Sequence, residues 1–315
     1  MTNNQSFAIV FPGQGSQSTG MLAALASEYP VVRETFAEAS EILRYDLWKL
    51  TREGPEAELN KTTRTQPALL AAGVAVWRCW IGAGGGMPAI MAGHSLGEYT
   101  ALVCAGVVDF SDAVALVAER GRVMQAAVPD GAGLMAAILG LENEQVETVC
   151  AEASEGQTVT VANYNSPGQV VIAGDREAVE RAVGLAREMG AKRALPLSVS
   201  VPSHCVLMKG AAGEFARTLD AVQFHDGTIP VIQNIDAQAR TGADEIRRAL
   251  VRQLHEPVLW VDTITRMGEK GIGTVIECGP GKVLTGLIRR IDSSMVTISI
   301  NDPATLQTAL EGRRQ

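Results

Sequence analysis

Apolar runs of about five residues alternate with longer segments of helical periodicity over most of the chain. The runs at 7–11 and 274–278, and the run that ends at Gly93, are typical of buried strands in a parallel sheet. Helical spacing predicts helices over 30–43 and 65–81, the second nearly apolar throughout and therefore buried. The pattern predicts an α/β domain with a parallel sheet at its centre.

The pattern changes between residues 133 and 200. It predicts, in order, a strand at 134–139, a helix capped by Asn143, strands at 158–162 and 169–173, a helix capped by Asp175, and a strand at 193–199. This βαββαβ order is typical of a ferredoxin-like unit. We therefore predict a large α/β-hydrolase-like domain (1–128 and 201–315), an inserted ferredoxin-like subdomain (129–200), and an active site in the cleft between them.

The rest of the large domain shows ordinary α/β periodicity. Before the insertion we predict a helix capped by Ser111 and ending near residue 128. After it we predict a helix to about residue 219, a strand at 231–234, helices at 243–254 and 258–269, and a tight turn at 279–281 before the next helix. The turn sequence GPGK is not a P-loop, because Lys282 is followed by Val283.

The stretch PAIMAGHSLGEYTALV at 88–103 predicts a strand, a sharp turn and a helix in direct succession. Such a corner leaves no room for side chains, which explains Gly93 and Gly97 and exposes the Ser95 hydroxyl as a potential nucleophile. The backbone N–H of Leu96 lies at the helix N-terminus and is available to stabilise an oxyanion. A five-residue G-x-S-x-G match is weak alone, so the prediction depends on this strand-to-helix context.

Two further features suggest chemistry. The polar, glycine-rich loop at 12–17 follows the first strand, where α/β sheets place ligands, although an ordinary strand-to-helix loop has the same composition. Arg120 interrupts a helical apolar stripe, and a buried guanidinium requires either an internal carboxylate or the carboxylate of a bound ligand. The other members of the stripe are Ala113, Leu116, Val117, Met124 and Ala127.

A serine nucleophile needs a base, and the chain has four histidines. His94 is adjacent to Ser95, and successive side chains point apart, so it is a poor acceptor for the serine proton. His225 and His255 lie in polar surroundings and are predicted at the surface. His204 lies where the predicted subdomain rejoins the large domain, and we favour it as the base.

Composition narrows the class of protein. The net charge of −8 argues against general binding of nucleic acid or of an anionic membrane. Five widely spaced cysteines without a C-x-x-C pair suggest neither a disulfide framework nor a zinc site. The first residues lack a signal-peptide pattern, and no stretch is long and apolar enough to span a membrane. We expect a soluble, unprocessed cytoplasmic protein.

Six separated segments carry a family resemblance: FPGQGSQ at 11–17, GHSLGEYTAL at 93–102, ERGRVMQ at 119–125, NSPGQ at 165–169, VPSHC at 201–205 and GPGKVLTGL at 279–287. In sequence and order they resemble the malonyl-CoA:acyl-carrier-protein transacylases of bacterial fatty-acid synthesis. The resemblance implies a ping-pong reaction in which malonyl-CoA acylates Ser95 and the phosphopantetheine thiol of acyl carrier protein then takes the malonyl group. It also implies that the reaction needs no metal or other cofactor.

The resemblance also implies a role for each site residue. His204 takes the serine proton, oriented by a main-chain carbonyl near Gln253, and His94 has a supporting place. The N–H groups of Gln14 and Leu96 form the oxyanion hole. Arg120 pairs with the malonyl carboxylate, which resolves its position on an apolar stripe.

Carrier proteins of this kind are acidic, so we expect a local basic docking patch. Its candidate residues are Arg187, Lys192, Arg193, Lys282, Arg289 and Arg290. A monomer is adequate for this chemistry. The alternatives are a serine esterase of the α/β-hydrolase type, a non-catalytic carrier-binding module, and the same transfer serving polyketide or malonate decarboxylase systems.

Overall fold

The structure, a computed structural model, describes residues 6–197, 199 and 201–314. The strands are β1 (Phe7–Phe11), β2 (Ile90–Gly93), β3 (Gly133–Leu139), β4 (Val159–Ser166), β5 (Gln169–Asp175), β6 (Arg193–Pro196), β7 (Val231–Ile232), β8 (Ala239–Arg240), β9 (Val258–Leu259), β10 (Thr274–Cys278) and β11 (Val296–Ile300). They form two sheets, so the chain is a mixed α/β protein as predicted.

The helices of the first half are α1 (Ala23–Glu28), α2 (Val31–Leu43), α3 (Leu47–Glu53), α4 (Glu56–Leu59), α5 (Thr62–Gly82), α6 (Leu96–Cys104), α7 (Phe110–Ala126) and α8 (Asn143–Ala153). Those of the second half are α9 (Arg176–Glu188), α10 (Lys209–Ala221), α11 (Ala243–Gln253), α12 (Trp260–Glu269), α13 (Val283–Ile291) and α14 (Pro303–Arg314). A short 3₁₀ turn, Val206–Met208, precedes α10.

The larger sheet has the strand order β11-β10-β1-β2-β7-β8. Its strands are parallel except for β8, which is antiparallel to β7. Phe11 of β1 lies beside Gly93 of β2, and Ala92 lies beside Ile232 of β7. Because the carboxyl ends of these strands are nearly level, the segments that follow them meet at one edge of the sheet.

Alternate residues of β1 enter two different cores, as the period of a strand requires. Ile9 and Phe11 belong to the larger cluster, which includes the apolar faces of α2, α5, α6 and α7. Ala8 and Val10 belong to a second cluster, formed with residues of α12 and α13. The sheet is therefore covered by helices on both faces, which explains why its strands are continuous apolar runs.

The smaller sheet has the order β6-β3-β5-β4-β9. Its first four strands are antiparallel and follow the predicted βαββαβ connectivity, with α8 and α9 packed on one face. On the other face, Met135 and Val171 pack with Cys205, next to His204. Strand β9 joins β4 in parallel although it comes from the segment after residue 201, so the two predicted domains share this sheet.

Several predicted boundaries are wrong. Asp109 rather than Ser111 precedes α7. Glu142 rather than Asn143 caps α8, because Glu142 and Gln145 form a reciprocal capping box. Residues 258–259 form β9 instead of the first turn of a helix.

Strand ends also differ from the predictions. Strand β7 ends at Ile232, two residues early. Strand β6 ends at Pro196, although the Leu197 N–H still donates to the Met135 carbonyl oxygen (2.9 Å). Residues 198 and 200, within the predicted last strand and the domain boundary, lie outside the described residues.

The five cysteines are all buried and free. Among the described residues, no helix is both long enough and apolar enough to cross a membrane.

Candidate active site

Ser95 stands at the corner between β2 and α6, in a backbone conformation that non-glycine residues rarely adopt (φ 51°, ψ −106°). A Cβ on Gly93 would lie 1.9 Å from the backbone of Gly97, and one on Gly97 would lie 2.0 Å from the Phe11 carbonyl oxygen. Both contacts are impossible for real atoms. The corner therefore requires glycine at both positions flanking the serine, as predicted.

Ser95 and His204 are in direct contact although 109 residues separate them. Ser95 Oγ lies 2.7 Å from His204 Nε2, and His204 Nδ1 lies 2.7 Å from the main-chain oxygen of Gln253. A carbonyl oxygen only accepts, so Nδ1 carries the proton and the Nε2 lone pair faces the serine hydroxyl. This arrangement can remove the serine proton as the oxygen attacks a carbonyl carbon.

His204 is buried, and burial lowers its pKa from 6.5 to about 3, with the positive charge of Arg120 as the next cause. The imidazole is therefore neutral at neutral pH, as a proton acceptor must be. Its Nδ1 partner is a main-chain carbonyl rather than a carboxylate, so serine and histidine form a dyad.

Arg120 of α7 is almost fully buried beside the dyad. Its Nη1 donates to Gln66 Oε1 (2.9 Å), and its Nη2 donates to Gln253 Oε1 (3.1 Å) and Ser95 Oγ (3.3 Å). The guanidinium also lies 5.2 Å from the centre of the Tyr99 ring. The side chain is thus held in one position, with its Nη2 at the serine oxygen.

The partners of Arg120 are neutral, which leaves its charge uncompensated by an ion pair. No carboxylate lies within ion-pair distance of it among the described residues, and its Nε has no partner there. Burial lowers its pKa because the charged form is desolvated. The internal salt bridge left open by the sequence is therefore not found, and the site suits an external anion.

The two predicted oxyanion donors border the same cavity as the dyad. Among the bonds of the described residues, the backbone N–H groups of Gln14 and Leu96 have no acceptor. Strand register explains their proximity, because the loop after β1 and the corner after β2 leave the sheet side by side. Two free donors near a nucleophilic oxygen can stabilise an oxyanion.

The cavity has a volume of about 100 Å³ and lies between the two sheets. Its walls include Met135 and Asn163 from the smaller sheet and Thr62, His94 and Met124 from the larger unit. His94 does not contact Ser95 Oγ; its Nε2 lies 2.8 Å from Asn165 Oδ1. Burial lowers the pKa of His94, so this ring is also neutral.

The other two histidines lie outside this cavity. His225 is exposed, as predicted. The prediction that His255 lies at the surface is wrong, because its side chain is only 18% exposed and its Nδ1 is buried. Its Nε2 lies 3.9 Å from Glu256 Oε1, and both residues border a groove that His204 also lines.

Sequence reasoning missed several polar groups of the site. Gln66, which holds Arg120, is a buried amide in a nearly apolar helix, and that contrast is a usable signal. Asn165, which contacts His94, lies in the quoted NSPGQ segment without an assigned role. Asn234 and Glu98 are both fully buried near Ser95. In the sequence they are only a polar residue at the end of a predicted strand and a polar residue in a predicted helix, so no pattern singled them out.

A strained serine, a neutral histidine and two free N–H groups in one cavity are the equipment of enzymes that transfer acyl groups through a serine ester. Comparison with known proteins identifies the family. Residues 8–301 match the family model described as the acyl transferase domain, and the chain belongs to this family.

Individual relatives match over nearly their full length. The chain is 58% identical to the malonyl CoA-acyl carrier protein transacylase of Escherichia coli K12, covering 97% of this chain and 99% of that protein. It is similar to a crystal structure of an acyl carrier protein S-malonyltransferase from Vibrio cholerae, with a TM-score of 0.94, 58% identity, and coverage of 96% and 99%.

A further solved structure contains a malonyl-transacylase in complex with its type II polyketide acyl-carrier protein. It matches with a TM-score of 0.96, 57% identity, and coverage of 98% of this chain and 99% of that chain. The family resemblance seen in the sequence motifs is confirmed by these matches.

Proposed function

We propose that this chain transfers a malonyl group from malonyl-CoA to the phosphopantetheine thiol of an acyl carrier protein. One observation carries the proposal: a buried guanidinium without an ion-pair partner lies 3.3 Å from the hydroxyl of a serine–histidine dyad. An acyl group that ends in a carboxylate satisfies that cation. Relatives at 58% identity bear the name of this transacylase, which supports the same assignment.

In the first half-reaction, Ser95 Oγ attacks the thioester carbon of malonyl-CoA while His204 Nε2 takes the hydroxyl proton. The N–H groups of Gln14 and Leu96 stabilise the oxyanion. The C–S bond then breaks, and His204 gives its proton to the departing CoA thiolate. A malonyl ester remains on Ser95.

Arg120 pairs with the distal carboxylate of the malonyl group throughout these reaction steps. Gln66 and Gln253 fix the guanidinium with neutral amides, so its charge stays available to the substrate. Selectivity for malonyl over acetyl thioesters follows, because an acetyl group would leave the buried cation unpaired.

The second half-reaction runs the same steps in reverse with a new thiol. His204 Nε2 takes the proton of the phosphopantetheine thiol, whose sulfur attacks the ester carbon. The bond to Ser95 Oγ breaks, and the proton on His204 returns to the serine oxygen. One dyad thus serves both halves of a ping-pong cycle, and no metal or other cofactor takes part in the proposed steps.

The carrier docks, in this proposal, on part of the predicted basic patch. Arg193 of β6 pairs with Leu139 of β3, and Leu139 pairs with Gln169 of β5. Gln169 Oε1 accepts a hydrogen bond from Arg290 Nη1 (2.5 Å). Lys192 lies next to Arg193 and is exposed. Arg187 Nη2 donates to the carbonyl oxygen of Ala194, the neighbour of Arg193 (2.7 Å). We propose these neighbouring basic residues as the docking patch: Arg187, Lys192, Arg193 and Arg290. Arg289 instead turns to Thr297 of β11.

We also propose a division into two domains and a cellular setting for the protein. Residues 1–128 and 201–315 form an α/β-hydrolase-like domain and residues 129–200 a ferredoxin-like subdomain, supported by the two sheet topologies. The protein acts in the cytoplasm as a monomer in fatty-acid synthesis. The similarity to a transacylase bound to a polyketide carrier makes a polyketide carrier the second candidate acceptor.

Intact-protein mass spectrometry tests the reaction directly. The native chain is incubated briefly with malonyl-CoA or acetyl-CoA and then with phosphopantetheinylated acyl carrier protein, with Ser95→Ala as the control. We expect a malonyl adduct that is absent in Ser95→Ala and passes to the carrier, with little acetyl adduct. An adduct that water removes as fast as the carrier does would instead indicate a serine esterase.

A further inference from the structure

Asn234 contacts the backbone on both sides of the Ser95 corner. Its Oδ1 accepts from the Ser95 N–H at 2.7 Å, and its Nδ2 donates to the Gly93 carbonyl oxygen at 2.7 Å. The residue follows β7, the neighbour of β2 in the larger sheet, which places its amide beside the corner. One fully buried side chain therefore connects the end of the strand to the start of the helix.

Asn234 is itself held at its main chain. Its N–H donates to Glu98 Oε2 at 2.8 Å, and its carbonyl oxygen accepts from the Leu259 N–H at 2.9 Å. Glu98 is a fully buried carboxyl in the first turn of α6, three residues beyond Ser95. The helix that begins at the serine thus carries the group that orients Asn234.

The need for such a connection follows from the conformation of Ser95. A residue with a side chain at φ 51° and ψ −106° is strained, and such strain persists only where surrounding contacts over-determine the backbone. Asn234 Oδ1 accepts from the Ser95 N–H, and Gln253 Nε2 donates to the Ser95 carbonyl oxygen at 3.0 Å. The second bond also orients the Leu96 N–H, since that group belongs to the same peptide plane.

We propose that Asn234, oriented by Glu98, is a positioning residue that holds Ser95 in its strained, reactive conformation. It touches neither the reacting atoms nor the malonyl group and acts through the backbone of Ser95. The inference deepens the proposed function, on which it rests for the identity of the acyl group. It concerns the reactivity of the serine, which a reagent other than malonyl-CoA also reports.

The neighbouring Gln233 provides a matched control. It is equally buried, and its Nε2 donates to the Val231 carbonyl oxygen at 3.0 Å within the same segment. It makes no hydrogen bond to the Ser95 corner among the described residues. Loss of its amide therefore measures the structural cost of removing a buried polar group at this place in the fold.

The experiment compares Asn234→Ala and the isosteric Asn234→Asp with Gln233→Ala and the native chain. Three quantities are measured: the thermal unfolding midpoint, the rate of Ser95 acylation by malonyl-CoA in rapid-quench mass spectrometry, and the rate of Ser95 sulfonylation by phenylmethylsulfonyl fluoride. Asn234→Asp keeps the acceptor for the Ser95 N–H but places an oxygen against the Gly93 carbonyl.

We expect both Asn234 variants to fold and to lower both chemical rates by about 100-fold, as a misplaced nucleophile does, with little change in the KM for malonyl-CoA. Gln233→Ala should lose thermal stability while its folded fraction keeps both rates. Glu98→Ala should lower the rates in the same direction, and Glu98→Gln should restore them, because a Gln oxygen still accepts from the Asn234 N–H.

Folded Asn234 variants with native rates would overturn the inference, and so would failure of both variants to fold, since the role would then be structural. Failure of the proposed function looks different. In that case the native chain forms no malonyl adduct, while the Asn234 variants still react more slowly than the native chain with the sulfonyl fluoride.

Discussion

At the scale of single residues, the site is defined by a buried cation that has no ion-pair partner among the described residues. Arg120 has amide partners, an aromatic ring at 5.2 Å and the serine oxygen, and these hold it in place without neutralising it. A buried cation of this kind discriminates between substrates more strongly than it binds any one of them, because a substrate without an anion leaves it desolvated and unpaired.

Replacing Arg120 should therefore change selectivity. We expect Arg120→Gln to lower kcat/KM for malonyl-CoA by about 100-fold, the loss of a charge-assisted bidentate pair, and to change that for acetyl-CoA much less. Arg122→Gln is the control, since Arg122 is exposed and pairs with Glu119 and Glu214. Equal losses for both thioesters in Arg120→Gln would remove carboxylate recognition from its role.

The low pKa of His204 gives a pH dependence of known sign. Protonation of Nε2 would remove the proposed base, and with a pKa of about 3 the ring stays neutral far below the usual value of 6.5. We expect kcat/KM of the folded enzyme at pH 5.5 to stay within about twofold of its value at pH 7.5, where an ordinary histidine would cost about tenfold. Steady-state pH profiles measure this.

Arg120 affects the same profile because its charge is the second cause that lowers the His204 pKa. In Arg120→Gln the acid limb of the profile should move to higher pH, and in Arg122→Gln it should stay in place. A limb near pH 6.5 in the native enzyme would show that His204 is solvated during the reaction.

At the scale of elements, the corner between β2 and α6 is the tightest point of the molecule. The helix starts at Leu96 and packs so closely on β1 that Gly97 faces the Phe11 carbonyl oxygen. Close packing of a helix end on two strands brings the free N–H of Leu96 and the loop after β1 to one place. The proposed oxyanion donors and the proposed nucleophile thus meet at the same contact.

Adding one methyl group at this contact should therefore be costly. We expect Gly97→Ala to destabilise the fold by about 3 kcal/mol or more, since its Cβ meets backbone that cannot move alone. Gly286→Ala in α13 is the matched control, because nothing lies within 4 Å of its added Cβ. Its free energy of unfolding should rise by about 0.5–1 kcal/mol. Urea unfolding of both variants measures the difference, and equal stability would contradict the tight contact.

At the scale of the whole molecule, the site exists only where the two sheets meet. The larger sheet supplies the corner and the loop after β1, helix α7 supplies Arg120, and the smaller sheet covers them with Met135 and Asn163. The connecting segment after residue 201 brings His204 to the serine and packs Cys205 against the smaller sheet. Because the net charge is −8, the proposed docking of an acidic carrier requires a local basic surface.

Two adjacent arginines test that surface. Arg290→Glu should raise the KM for acyl carrier protein about tenfold at low salt, because it reverses a charge in the docking patch, and should leave the KM for malonyl-CoA unchanged. Arg289→Glu carries the same change in net charge on a side chain that faces β11 and should have little effect. Equal effects of the two variants would indicate a general charge effect and contradict the proposed patch.

The sequence by itself determined the local features, because turns, caps and apolar periodicity depend on neighbours in the chain. The strand-to-helix corner at Ser95, the buried position of Arg120, the βαββαβ order and the family all follow from short segments and their order. Boundaries were less accurate wherever a tertiary contact competes with local preference, as at β9, where pairing with Asn163 and Tyr164 turns a predicted helical start into a strand.

Only the tertiary structure decided which distant groups meet. The choice between a salt bridge and a ligand at Arg120 depended on Gln66, 54 residues away, and on Gln253, 133 residues away. Asn234 reaches Ser95 across 139 residues through the alignment of β7 with β2. Such contacts follow from sheet order and register, which are properties of the whole chain, and no local pattern encodes them.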